Sequence, residues 1–298
     1  MSEALSRMGL SHRLVGAAWM VFAGAVFALV NAAMQYLTMN LGLGSASATF
    51  WQYFVSLVVL LPLVLRGGVA ALRTKQLGLH VFRVVLAALG VQLWTAGLAQ
   101  GVPIWQAIAL LMTSPFFVTI GAALFLGEKA SYERWLATAV GFVGGMIILA
   151  PWQDDFKLAA LLPVGAALLW GSSILVMKKL EGTESAQSVT LYLLLLLTPI
   201  NLVLALSAGG GALELPSGQS AWALVVVAGV LGAIAQGSLA LAYEKVDAAF
   251  LQPFDHVKLP FNVLTGLVVF GWVPPGNLWL GALMIIGASL YLIRVERA

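Results

Sequence analysis

Cysteine is absent from the 298 residues. That excludes disulfides, thiolate metal sites and cysteine nucleophiles. Three histidines are too few to suggest a zinc centre, and no other metal or cofactor signature accompanies them. Charge is scarce as well: Asp, Glu, Lys and Arg make up 9% of the chain, where a soluble domain carries about 25%. This argues against a water-soluble globule and against a disordered chain. The 15 basic and 12 acidic residues are too dispersed to form a basic face, so nucleic acid is not an expected partner. There is no Gly-rich phosphate loop, no His-Glu-x-x-His pattern and no Gly-x-Ser-x-Gly elbow. An enzyme is therefore not expected. The loops leave no room for a nucleotide domain, and nothing resembles a selectivity filter or charged ring, which excludes an ATP-driven pump and a selective channel.

What fills the chain instead is apolar, at 61% hydrophobic residues. Ten runs reach the roughly 20 residues that a transmembrane helix needs: 14–39, 45–65, 81–99, 103–126, 132–150, 158–177, 187–207, 220–243, 247–270 and 277–293. The first is too long for the apolar core of a signal peptide and is expected to remain as a span. If the N-terminus is cytoplasmic, 13 of the 15 basic residues fall on the cytoplasmic side, among them Arg13, Arg73, Lys75, Lys129, Arg134, Lys178 and Lys245. Lys157 alone falls outside, and Lys258 lies within a span. This asymmetry sets ten spans with both termini cytoplasmic, in the inner (plasma) membrane of a bacterium.

The sequence repeats weakly at a shift of about 144 residues. Leu98–Pro103 falls on Ala242–Asp247, Gly127 on Gly271, Pro115 within one residue of Pro260, and Phe27-Ala28 on Trp170-Gly171. Residues 1–150 and 151–298 thus read as two repeats of five spans each. Five is odd, so the second enters the membrane from the opposite side. Inverted repeats place substrate near the bilayer midplane where the halves meet.

Further local motifs fit one family. Ser114-Pro115-Phe116-Phe117, Leu126-Gly127-Glu128-Lys129, Arg134-Trp135 and Gly141-Phe142-Val143-Gly144-Gly145 follow one another in the first half. Leu168-Leu169-Trp170-Gly171 and Phe270-Gly271, with Pro274 and Gly281, do so in the second. In this order and spacing the chain resembles the drug/metabolite transporter superfamily, EamA type. Trp272 stands where that family usually has an acid, and Phe27 where it commonly has Trp-Gly. The resemblance implies ten helices in two inverted repeats, transport of small organic metabolites, and a cavity lined by spans 1, 3, 4, 6, 8 and 9. It also brings in amino-acid exporters, including those for aromatic amino acids.

An ionisable group in hydrocarbon costs at least ~2.5–3.5 kcal/mol, so such groups usually face a cavity. Span nine carries Asp255, His256 and Lys258. Asp255 and Lys258 sit roughly 12 and 16 Å along the span from its cytoplasmic end, and their i,i+3 spacing puts them on one face. They read either as a structural ion pair or as a cavity cluster that binds a zwitterion or titrates. His256 is the group suited to proton coupling. Span four offers Leu111, Met112 and Ser114 at the related positions, so the cavity has one polar and one apolar wall, as an amphipathic ligand requires.

The remaining cavity candidates are Asn31, Gln92, Thr113, Ser173 and Gln236 among polar residues, and Trp94, Trp170, Phe250 and Phe254 as an aromatic wall with Phe27. For each polar group the alternative is an interhelical hydrogen bond. Pro115 and Pro260 are hinge candidates. Gly141-x-x-x-Gly145 suits a close helix crossing, either between repeats or in a dimer. The expected activity is export of small amphipathic metabolites, foremost amino acids, by alternating access, from a monomer or weak homodimer. Uptake or exchange, a membrane enzyme using Glu128, Lys129, Glu133 and Arg134, and a scaffold are the rivals.

Overall fold

The computed structural model describes residues 2–66, 74–127, 131–154, 156–181, 184, 186–245 and 248–296. Every regular element among them is helical. The α-helices are α1 (Ser2–Met39), α2 (Ser45–Arg66), α3 (Leu77–Ala99), α4 (Ile104–Leu111), α5 (Ser114–Phe125), α6 (Tyr132–Leu149), α7 (Leu161–Glu181), α8 (Ala186–Ala208), α9 (Gly218–Lys245), α10 (Ala248–Asp255), α11 (Lys258–Phe270) and α12 (Gly276–Glu296). Seven stretches are long and apolar enough to cross a membrane: 13–39, 45–62, 77–99, 104–125, 158–180, 188–208 and 218–245. Lys258–Phe270 and Gly276–Leu292 are shorter apolar helices.

Two of the expected spans are interrupted. The run 103–126 divides into α4 and α5 at Met112-Thr113, and 247–270 into α10 and α11 at His256-Val257. Each break precedes a proline by two or three residues. Proline has no N–H to return to the carbonyl four residues back, and its ring crowds that carbonyl. The chain tightens instead: the Thr113 amide donates to the Leu110 carbonyl at 3.1 Å, and the Val257 amide to the Phe254 carbonyl at 3.2 Å. These two bonds are 144 residues apart, the shift found in the sequence. Pro253 breaks nothing, since α10 continues through it.

The packing partners come in exchanged pairs. Helix α1 lies along α9, and α7 along α3; α1 meets α11, and α7 meets α5; α2 packs on α9, and α8 on α3. Helices α6 and α12 pack on each other, as do α2 and α8. Swapping residues 1–150 with 151–298 leaves this pattern unchanged. Small residues allow the closest crossings, as expected where lipid supplies no hydrophobic drive between helices. A Cβ on Gly144 would sit 2.7 Å from the Gly281 carbonyl oxygen, and one on Gly281 2.5 Å from that of Gly144. The contact between the halves therefore falls on Gly144 and not on the glycine motif of α6, whose Gly145 faces Thr113 of its own half. Gly141 instead accommodates the ring of Phe116.

Candidate functional site

The breaks open onto a cavity of about 580 Å³ between the halves. At one end its lining includes Arg134, Lys178 and Tyr243, from helix ends that carry the basic residues. The opposite end is sealed. Gln35, fully buried, donates from Nε2 to the carbonyls of Leu98 at 3.0 Å and Val102 at 2.7 Å. Leu98, Val102 and Ile104 are closed off around it.

The polar wall comes from the start of α11 and the residues just before it. Lys258 Nζ donates to Asp255 Oδ2 at 2.6 Å, and both side chains line the cavity, 22% and 30% exposed. The pair is thus the ion pair of the structural reading, and it also forms part of the chamber wall. Its charges compensate each other, so the pair adds no net charge. His256 lines the same wall, is buried, and has no partner at either ring nitrogen among the described residues. Gly24 of α1 allows this close approach, since a Cβ there would lie 3.5 Å from the Lys258 Cβ. The related contact sets Gly171 of α7 against Ser114, 3.2 Å from a Cβ to the Ser114 carbonyl oxygen.

Above the pair, Asn31 donates from Nδ2 to Asn262 Oδ1 at 3.0 Å, and Asn262 donates from Nδ2 to the Lys258 carbonyl at 2.7 Å. Gln236 of α9 and Gln52 of α2 add two further amides. The apolar wall holds Phe27, Trp94 and Trp170, with Leu111, Met112, Ser114 and Pro115 at the other break.

Of the residues expected from the sequence, Asn31, Trp94, Trp170, Gln236, Asp255, His256, Lys258 and the hinge candidate Pro115 line this cavity. The others do not. Gln92 turns to α8 and donates to Asn201 Oδ1 at 2.8 Å. Thr113 satisfies its hydroxyl on the Leu110 carbonyl at 2.6 Å, inside its own helix break. Ser173 donates to the Arg83 carbonyl at 3.1 Å and ties α7 to α3. Phe250 and Phe254 lie 5.5 Å apart and pack with Met20, Ala242 and Leu251, so the aromatic wall stops at Phe27, Trp94 and Trp170. Pro260 is exposed, away from the cavity. Glu128 and Lys129 lie outside the described residues.

Several lining residues escaped the sequence reading. Asn262 follows Lys258 by four positions and so shares its helix face, a signal that was available. Gln52 and Tyr53 stand on a span that the family resemblance leaves out of the cavity set. Arg134, Lys178 and Tyr243 sit at helix ends, where basic and amphipathic residues read as topology signals and interfacial anchors.

The EamA-like transporter family model matches twice, over residues 14–150 and 157–294. A riboflavin transporter of Rhizobium johnstonii is 56% identical over 286 residues, covering 96% of this chain and 93% of that one. One of Vibrio cholerae serotype O1 is 52% identical over 286 residues, covering 96% and 95%. A solved structure described only as a protein crystal structure is similar in fold, with a TM-score of 0.62 at 16% identity over 96% of this chain and 98% of that one. These relatives carry the name of a transporter, not of an enzyme, and neither is named an amino-acid exporter, so the expectation of amino-acid export finds no support in them.

Proposed function

On the premise that the chain belongs to the EamA-like transporter family, we propose that it moves riboflavin, or a flavin of similar shape, across the bacterial inner membrane by alternating access. It is a multi-span membrane transporter. Riboflavin is uncharged, with a flat three-ring system, an imide edge rich in hydrogen-bonding groups and a chain of hydroxyls. The observation that carries the reading is the make-up of the cavity: aromatic faces at Phe27, Trp94 and Trp170, amides at Asn31, Gln52 and Gln236, and one ion pair that is already compensated. A flat ring is held by aromatic faces at about 0.5–1.5 kcal/mol per stacked pair. A neutral ligand requires no uncompensated charge in the wall. The volume lies within the 300–1,000 Å³ typical of sites for drug-sized molecules. The name that two relatives carry, each more than half identical to this chain, supports the same substrate.

The proposed arrangement has ten spans: the seven long ones, α6, the α10–α11 pair and α12. Residues 1–150 and 151–298 form two inverted halves, with both termini cytoplasmic and the basic-lined cavity mouth on that side. The contacts that survive exchange of the halves support it. In that orientation the chain is inward-facing, and the Gln35 seal must open for the other state. Binding is tested by titrating riboflavin into the detergent-purified protein and following quenching of flavin fluorescence. Saturable quenching is expected; a folded protein that quenches no flavin would remove the substrate from the proposal.

A further inference from the structure

Resting on the flavin reading, we infer that Asn31 is the residue that selects the flavin ring, by accepting a hydrogen bond from its imide N–H through Oδ1, and that Asn262 is the positioning residue that makes Asn31 an acceptor. An amide side chain has a donor end and an acceptor end, and its neighbours decide which way it points. Here the order is fixed from a carbonyl that can only accept. The Lys258 carbonyl takes the Asn262 Nδ2 donor at 2.7 Å. Asn262 Oδ1 is then the end turned to Asn31, and it must be met by a donor, Asn31 Nδ2, at 3.0 Å. The end of Asn31 left over is Oδ1, to which no described residue donates. Both asparagines line the cavity and are at least nine-tenths buried, 9% and 1% exposed. That Asn31 oxygen opens on the cavity, and a ligand that shuts it off from water must supply an N–H or leave the acceptor unpaired at a cost in free energy.

Position on the helix says which donor. Phe27 and Asn31 are four residues apart on α1, so they share a face, about 6 Å apart along the axis. Asn31 is the deeper of the two, one turn below the Gln35 seal. A flat ring resting on Phe27 with its imide edge leading brings the imide N–H, flanked by its two carbonyls, to Asn31. The hydroxyl chain then trails past Gln236 and Tyr243 toward the mouth.

The test compares riboflavin with 3-methylriboflavin, which carries a methyl in place of that imide hydrogen, by fluorescence-quenching titration of the purified protein. The readout is the ratio of the two Kd values, which does not depend on the folded fraction. The wild-type protein is expected to bind the methylated flavin about tenfold or more weakly, the cost of one unpaired buried acceptor. Asn31→Ala brings the ratio to near one, and Asn262→Leu, which frees the Asn31 amide to turn, lowers it as well. A wild-type ratio near one overturns the inference and leaves flavin transport standing. So does an undiminished ratio in Asn31→Ala, because some other acceptor then reads the imide. If Asn31→Ala does not fold, the wild-type ratio and Asn262→Leu decide. Failure of the wild-type protein to bind riboflavin at all is distinguishable, since it removes the proposed function itself.

Discussion

Lys258 reaches back one helical turn to donate to Asp255 at 2.6 Å, across the break that separates α10 from α11, and both charges face the cavity. Removing one partner leaves the other uncompensated in a bilayer interior. Asp255→Asn and Lys258→Met are each expected to lower the apparent Tm in detergent, by ~1–3 kcal/mol equivalent, because the pair is partly hydrated and the full penalty of a buried pair is not incurred. The double variant is expected to recover most of that loss. A double variant no more stable than the singles would show that the pair is not what stabilises the broken helix.

Trp170 presents an aromatic face to the cavity without a hydrogen bond from its indole to any described residue. Trp170→Ala is expected to raise the Kd for riboflavin by up to about tenfold, the worth of one stacked pair with a flat ring. Trp170→Phe keeps most of the affinity. Equal weakening by both would point to the indole N–H rather than the ring face, and contradict the stacking account. Fluorescence quenching reads both.

Gly24 is a lining residue with room for a Cβ, which would make ordinary contact with Lys258 at 3.5 Å. Gly24→Ala is expected to retain transport. Gly24→Leu puts a branched chain into the chamber and is expected to abolish flux in proteoliposomes while the protein still purifies as a folded monomer or dimer. Undiminished flux in Gly24→Leu would mean that substrate does not pass this point.

The crossing of α6 and α12 tolerates no side chain at Gly144, where backbone rather than a movable side chain stands in the way. Gly144→Ala is expected to cost about 1–3 kcal/mol by overpacking, seen as a lower apparent Tm. Gly287→Ala on the same α12, with nothing within 4 Å of its Cβ, serves as the control and is expected to be neutral or stabilising through helix propensity.

The sequence anticipated the helices better than the side-chain directions. Hydrophobic runs alone located nearly every helix, because the bilayer demands length and apolarity and little else. The placement of Asp255, His256 and Lys258 was legible for the same reason, since charge at that depth has few places to go. Gln92 and Ser173 were not separable from Asn31 and Gln236 on the chain alone. Each is a polar residue in an apolar helix, and only the neighbour decides whether it meets another helix or the cavity: Asn201 and the Arg83 carbonyl claimed the first two. Phe254 adjoins Asp255 but stands about 100° around the helix from it, and it packs with Phe250 and Leu251 instead of lining the chamber. Pro260 marked a real break, yet the break lies three residues before its ring, at His256-Val257, because the lost hydrogen bond belongs to the preceding turn.

Counterflow in proteoliposomes tests most directly whether one chamber holds a flavin and opens in turn to either face of the membrane. Vesicles preloaded with unlabelled riboflavin and diluted into labelled riboflavin are expected to accumulate label transiently above equilibrium, with Gly24→Leu vesicles showing none. Accumulation that ignores the internal riboflavin, or label that merely equilibrates at the same rate with and without preloading, would contradict alternating access at this site.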